Sequence, residues 1–155
     1  MALSSCKKDD LPDQPFVSGH YCHCKVDGVD WYASKDGDIF AKSVSAELIG
    51  DSVLSLAAYS GIESIGIAIF SKPIGQKGSH KLSDYVPYNS SAIYDNDLSV
   101  GYFTTDSIRN GQIFFALERK EGIVQGTFSF DAYHPVTHKT VSITDGSFSI
   151  EYQEH

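Results

Sequence analysis

The chain has 155 residues, of which 41% are hydrophobic, so it is long enough for one domain with a substantial core. Its formal net charge of −8 excludes the basic surface with which nucleic-acid-binding proteins neutralise phosphates. The same acidity disfavours electrostatic adsorption to anionic lipid, and the printed sequence holds no apolar run long enough to cross a bilayer.

The first residues carry a targeting pattern. Residues 3–6 (LSSC) resemble a bacterial lipobox, and residues 7–10 (KKDD) resemble the signal that sends Bacteroidota lipoproteins to the cell surface. The resemblance implies that Cys6 is acylated, and each methylene buried in the bilayer stabilises such an anchor by about 0.8 kcal/mol. A secretory leader needs an apolar stretch of about 7–15 residues before the cleavage site. We therefore expect the printed chain to be truncated or to begin at a misplaced start, and as printed it would not be lipidated.

Residues 7–15 (KKDDLPDQP) are charged and contain two prolines, a composition typical of a flexible tether. The sequence therefore predicts two parts. A lipobox and tether occupy residues 1–15, and one folded domain occupies residues 16–155.

Within the domain the hydrophobic pattern has a period of two, which is typical of β-strands. Inward apolar rows recur at every second position in four segments: 65–70, 113–117, 124–131 and 147–152, and in the last two polar residues alternate with them. Two-residue hairpin turns are predicted at four pairs: Asp27-Gly28, Gly50-Asp51, Asn110-Gly111 and Asp145-Gly146. Residues 44–58 contain helix formers, but Gly50 and the alternating leucines favour two strands. We expect an all-β fold with little or no helix, a single antiparallel β-sandwich or barrel of about 9–11 strands.

The longest irregular segment is predicted between Ser83 and Asp97, and it contains Tyr85, Tyr88 and Tyr94. Long loops on a rigid scaffold often carry binding residues. These three tyrosines are therefore the predicted ligand contacts.

Three motifs resemble those of a Bacteroidota lipoprotein family whose domain has no assigned function. They are residues 26–31 (VDGVDW), 122–130 (GIVQGTFSF) and 141–148 (VSITDGSF). The resemblance covers about residues 16–153, with Gln125 at a position where the family commonly has serine. It implies a fold and an envelope location, but it transfers no catalytic residue.

One pattern suggests an enzyme. Residues 50–53 (GDSV), followed far downstream by His134, resemble motifs of serine esterases, in which a histidine base activates the nucleophile. Those esterases are α/β proteins, and this chain shows no helical crossover pattern. We expect a plain turn at Gly50-Asp51 and a solvated loop around His134 and His138.

The cysteines and acidic runs predict structural roles. His20, Cys22 and Cys24 alternate along one strand face, and groups that project in parallel cannot surround a metal ion. A disulfide between Cys22 and Cys24 would be strained, so both are predicted to be buried thiols. The acidic runs at 36–38 (DGD) and 95–97 (DND) lack the full spacing of a calcium loop and predict polar turns.

The single tryptophan, Trp31, is predicted in the core. The candidate carboxylates for glycoside cleavage, Glu47, Glu63, Glu118 and Glu151, mostly occupy solvent-facing strand positions, so no acid–base pair can be chosen from them.

The sequence thus predicts a non-enzymatic binding or adhesion module of the outer membrane, exposed at the cell surface and attached through Cys6. We expect a glycan or protein ligand, with no cofactor, metal or nucleic acid. Two alternatives stay open: a structural accessory subunit of an envelope complex, and a Ser52–His134 esterase-like hydrolase.

Overall fold

The computed structural model describes residues 20–33, 43–96 and 101–155, and within them it contains strands and no helix. The all-β prediction is confirmed. Cys6, the tether, the 36–38 acidic run and Asp97 lie outside the described residues. The strands are β1 Tyr21–Val26, β2 Val29–Tyr32, β3 Val44–Ile49, β4 Val53–Ser60, β5 Glu63–Phe70, β6 Lys77–Leu82, β7 Ser91–Asp95, β8 Phe103–Thr104, β9 Gly111–Glu118, β10 Ile123–Tyr133 and β11 Thr140–Glu154.

The strands form one continuous sheet that returns on itself. The path β11-β3-β4-β5-β7-β8-β10 closes through the β10–β11 pairing. We call β2-β1-β11-β10-β9-β6 the back sheet and β3-β4-β5-β7-β8 the front sheet. The two sheets join at two corners, where the end of β11 pairs with β3 and Tyr133 at the end of β10 pairs with Thr104.

The antiparallel prediction has one exception among the described strands. Tyr152, Gln153 and Glu154 of β11 pair in parallel with β3, whereas the other pairings are antiparallel. The exception arises because β11 is 15 residues long. It passes the end of β1 and continues along the edge of β3.

The core lies between the two sheets and follows the predicted alternation. In β4, β5 and β9 the inward residues between the strand ends are buried, and the outward residues that alternate with them are partly or fully exposed. Trp31 is buried in this cluster, as predicted. The largest fully buried apolar side chains are Phe115, Phe148, Leu48, Leu54, Ile69, Leu82, Ile113, Ile143, Ile150 and Val124.

Of the four predicted two-residue hairpins, Asp27-Gly28 is confirmed, because it joins β1 to β2. Gly50-Asp51 lies in the turn between β3 and β4, but Ile49 pairs with Val53, so this turn also includes Ser52 and is not a two-residue hairpin. The other two predictions are wrong. Asn110-Gly111 is not a two-residue hairpin, because Gly111 begins β9. Asp145-Gly146 lies inside β11, where a β-bulge shifts the register with β10. There Asp145 has a φ of 53°, so the pair bends a strand instead of reversing the chain.

The predicted irregular segment 83–97 is shorter than expected. Residues 91–95 form β7, which pairs with β5, and the loop itself covers residues 83–90. No helix in the described part of the chain is long and apolar enough to cross a membrane.

Candidate functional site

A shallow groove runs over the outer face of the front sheet, across β4, β5 and β7, with a volume of about 240 Å³. We call it the tyrosine groove, because Tyr59 and Tyr85 are its largest exposed side chains. Its lining residues are Ser55, Leu56, Ala57, Tyr59, Ser64, Ile65, Gly66, Ile67, Ala68, Tyr85, Ser91, Ala92 and Ile93.

The floor of the groove is low because the outward positions of the central strands carry small residues. Ala57 of β4 lies opposite Gly66 of β5, and Ala68 of β5 lies opposite Ser91 of β7. Leu56, Ile65 and Ile67 point into the core, since alternate residues face opposite sides of a sheet. Ile93 of β7 is a large outward side chain, and it lies beside Gly66. The alternation of large inward and small outward residues therefore builds the core and also produces the tyrosine groove.

Tyr85 borders the groove in a fixed orientation. Its ring meets that of Tyr102 edge to face, with centroids 6.0 Å apart. A side-chain hydrogen bond with Tyr102, followed by burial, raises the pKa of Tyr85. Nevertheless, about half of Tyr85 is exposed (51%), and Tyr59 is similar (48%). Both rings can contact a ligand.

Hydrogen bonds fasten the loop 83–90 to the sandwich. The hydroxyl of the buried Thr105 donates to the carbonyl of Ser83 at 2.6 Å and accepts from the amide of Ala92 at 3.0 Å. At the other end of the loop, the Ser90 hydroxyl accepts from the amide of Phe70 at 3.0 Å. Asn89 Nδ2 donates to the carbonyl of Asp84 at 2.6 Å. These hydrogen bonds attach both ends of the loop to the neighbouring strands, so its backbone has a defined position beside the groove.

The structure separates the three predicted ligand contacts. Tyr85 lines the groove. Tyr88 is not among the lining residues; it is highly exposed, and its ring centroid lies 6.1 Å from that of Phe70. Tyr94 lies in β7, not in the loop, and only 2% of it is exposed. A ligand on the outer surface cannot reach it. Alternation in the SAIYD segment could have placed Tyr94 in a strand, and the outward position of Tyr59 in β4 could have identified Tyr59.

Tyr94 takes part instead in a carboxylate clasp with Trp31 and Glu63. Trp31 Nε1 donates to Glu63 Oε1 at 2.8 Å, and the Tyr94 hydroxyl donates to Oε2 at 2.8 Å. Burial, followed by the hydrogen bond to Glu63, raises the pKa of Tyr94 well above its usual value. Glu63 is the first residue of β5, and its carboxylate links edge strand β2 to the front sheet. Both carboxylate oxygens of Glu63 therefore have a structural role.

The two cysteines described by the structure are buried free thiols, as predicted. Burial raises the pKa of both Cys22 and Cys24 to about 12, and the neighbouring Cys24 and Glu63, respectively, add to the effect. Neutral, buried thiols are poor nucleophiles and poor metal ligands. Among the described residues, no group of three His, Cys, Asp or Glu side chains is placed to hold a metal ion.

Ser52 and His134 lie near opposite ends of β10. Ser52 sits in the β3–β4 turn, where Asp51 contacts Arg119, just before β10, at 3.6 Å. His134 directly follows the last residue of this 11-residue strand, which is about 35 Å long at about 3.3 Å per residue. The two side chains cannot form a nucleophile–base pair.

His134 also differs from its predicted solvated position. It is almost completely buried, and its Nδ1 accepts from the amides of Val136 and Thr137, each at 3.2 Å. Its ring packs edge to face against Phe103. The prediction failed because His134 closes its own turn after β10, and this turn then folds over the end of the core. His138 lies in the exposed part of the loop, as expected.

These features define a small all-β domain, closed at two corners, whose outer front face carries an open groove. The chain belongs to the family described as a domain of unknown function (DUF6252), whose family model matches residues 32–150. Comparisons with curated proteins and with solved structures found no match.

Proposed function

We propose that this protein is a non-enzymatic binding module of a bacterial cell envelope, attached to the outer membrane through an acylated Cys6 and facing the cell surface. The observation that carries the proposal is the tyrosine groove. It is open to solvent and bordered by half-exposed rings, and its loop is held by a hydrogen bond from the buried Thr105.

The geometry favours binding over catalysis at this site. Of the described residues that line the groove, none carries a histidine, carboxylate, thiol or amine that could transfer a proton or attack a substrate. The groups it offers are ring faces and hydroxyls, which recognise a ligand without changing it.

The sequence around Cys6 supports the proposed anchor and the Bacteroidota lipoprotein family. Residues 3–10 combine a lipobox-like segment with a surface-export-like run, and residues 7–15 can extend about 30 Å at about 3.3–3.6 Å per residue. A tether of that length lets the domain stand clear of lipid headgroups and turn its groove outwards.

Site-specific crosslinking tests the binding role. A photoreactive amino acid replaces Tyr85 in one variant and Tyr32, which is 61% exposed on the edge strand of the back sheet, in a matched control. Irradiated cells of the native host should give a crosslinked product from position 85 that position 32 does not give. Equal products from both positions, or none from position 85, would refute binding at the groove.

The accessory-subunit alternative predicts a different result. An outer-membrane transporter would then co-purify with the protein in a fixed stoichiometry, and Tyr85→Ala would not change the amount that co-purifies.

The anchor is tested separately, with the full gene in its native host. Cells fed an alkyne-labelled fatty acid should incorporate it into the wild-type protein and not into Cys6→Ala, which should leave the membrane fraction. Incorporation that persists in Cys6→Ala would rule out Cys6 as the lipid carrier.

A further inference from the structure

We propose that the tyrosine groove binds an uncharged glycan, which lies across β4, β5 and β7 with a sugar face on the ring of Tyr85. This inference rests on the proposed function, because it names the ligand class of the same site. Four properties of the groove support it.

The first property is charge. The protein carries a formal net charge of −8, yet no lysine, arginine, aspartate or glutamate is among the described residues that line the groove. An anionic polysaccharide would meet the repulsion of the whole molecule. A cationic ligand would find no carboxylate in the groove to pair with. An uncharged ligand meets neither obstacle.

The second property is the pairing of rings with hydroxyls. Tyr59 and Tyr85 offer apolar ring faces, against which the C–H face of a sugar can pack. Ser55 and Ser64 are partly exposed at outward positions of β4 and β5, and each hydroxyl can donate and accept a hydrogen bond. A polyol presents the same mixture of C–H faces and hydroxyls.

The third property is shape. Because neighbouring strands lie about 4.8 Å apart, the three strands span about 10 Å from β4 to β7, which suits a short oligosaccharide. Protein partners usually cover about 800 Å² on each side of an interface. A groove that crosses only three strands, about 10 Å, is narrow beside a patch of that area.

The fourth property is preorganisation. Tyr85 is held by Tyr102, and its loop is fastened through Thr105 and Ser90. A ring that is already positioned loses little conformational freedom when a sugar binds. The entropic cost of binding is therefore small, and a few contacts can give measurable affinity.

The test uses the folded domain and an array of oligosaccharides. The uncharged probes are gluco-, manno-, xylo- and galacto-configured hexasaccharides, and the charged probes are uronic-acid oligomers. Each hit is measured by titration calorimetry for the wild type, Tyr85→Ala and Ala57→Gln, which fills the floor with an uncharged side chain. Tyr32→Ala on the back sheet is the matched control, and thermal melting checks that every variant is folded.

We expect at least one uncharged hexasaccharide to bind, with a loss of about tenfold or more in Tyr85→Ala and Ala57→Gln and no change in Tyr32→Ala. Binding of uronic-acid oligomers alone, or binding that survives Ala57→Gln, would overturn the glycan assignment. So would an array on which no uncharged probe binds. If the array is blank while a protein crosslinks specifically at position 85, the ligand class proposed here fails and the proposed binding function stands.

Discussion

At the residue scale, the carboxylate clasp explains why a glutamate lies at the start of β5. The indole N–H of Trp31 and the hydroxyl of Tyr94 belong to buried side chains, and Glu63 satisfies both. A buried donor left without a partner costs about 1–3 kcal/mol. The clasp therefore stabilises the contact between edge strand β2 and the front sheet, and Trp31 of the VDGVDW motif has a structural role.

Glu63→Ala should lower the free energy of unfolding by about 2–4 kcal/mol, because it leaves both buried donors unpaired. Glu63→Gln should cost roughly half as much, since its amide oxygen still accepts one of the two bonds. Urea denaturation followed by tryptophan fluorescence measures both variants. A change below about 0.5 kcal/mol in Glu63→Ala would show that the clasp contributes nothing.

The buried thiols make a prediction about reactivity. With a pKa of about 12, only about one in ten thousand Cys22 or Cys24 side chains is ionised at pH 8. In a Cys6→Ser background, the folded protein should not react with a disulfide reagent at pH 8, and both thiols should react after unfolding in guanidinium chloride. Rapid reaction of the folded protein would contradict their burial.

The same shifts predict how stability depends on alkaline pH. A thiol of the unfolded chain ionises near its ordinary value of 9.0, whereas Cys22 in the folded protein ionises near 12. The unfolded state therefore loses protons first, and stability should fall as the pH rises from about 9 towards 12. Urea midpoints at pH 8 and pH 10.5 measure this, and Cys22→Ala should reduce the difference between them. An equal difference in Cys22→Ala and wild type would rule out a contribution from this thiol.

At the element scale, glycines of the sequence motifs allow strands to approach closely. A Cβ on Gly126 of β10 would overlap the backbone carbonyl of Phe114 in β9. A Cβ on Gly146, in the bulge of β11, would press against the ring of Phe128. The GTFSF and ITDG segments are thus packing features, in agreement with a family resemblance that transferred no catalytic residue.

Gly126→Ala should destabilise the protein by about 2 kcal/mol or more, because the obstacle is backbone held in a ladder and cannot move aside. Gly66→Ala is the matched control, a mid-strand glycine whose added Cβ would lie 3.2 Å from the Ile93 side chain and at an ordinary contact distance, 3.9 Å, from the Leu56 carbonyl oxygen. It should be close to neutral, because the loss of unfolded-state entropy offsets a small rearrangement. Chemical denaturation compares the two, and equal effects would refute the backbone explanation.

At the scale of the whole molecule, the two corners make a closed body from one sheet. The corner between β11 and β3 depends on main-chain bonds: the amide of Gly50 donates to the carbonyl of His155 at 3.0 Å, and the amide of His155 donates to the carbonyl of Leu48 at 2.9 Å. The ion pairs beside it are exposed, including Arg119 with Glu154 at 3.6 Å. Exposed pairs of this kind contribute about 0–1 kcal/mol.

Ending the chain after Tyr152 should therefore weaken this corner and speed hydrogen exchange in β3 more than in β10, which keeps its partners. The matched control replaces Gln153, Glu154 and His155 with alanine and keeps the main chain. It should leave exchange in β3 nearly unchanged. Similar exchange in the truncated and alanine variants would show that side chains, not the backbone, hold the corner.

For the site, the sequence predicted ligand contacts in an irregular segment over residues 83–97, with Tyr85 among them, but it did not predict the groove. Tyr59 lies 26 positions before Tyr85 and reaches the same surface only because β4, β5 and β7 are neighbours. Tyr94 was misplaced because the polar residues around it resemble a loop, whereas pairing with Ile65 of β5 makes its segment a strand.

The sequence by itself determined the strand class, the inward rows of the core, the Asp27-Gly28 hairpin, the place of the β3–β4 turn and the burial of the cysteines, because alternation and turn chemistry act between near neighbours. Only the tertiary structure decided the parallel corner, the bulge at Asp145, the burial of His134 and the clasp on Glu63. Each of these depends on which distant strands become neighbours. That choice reflects the packing of the whole core, which no local pattern encodes.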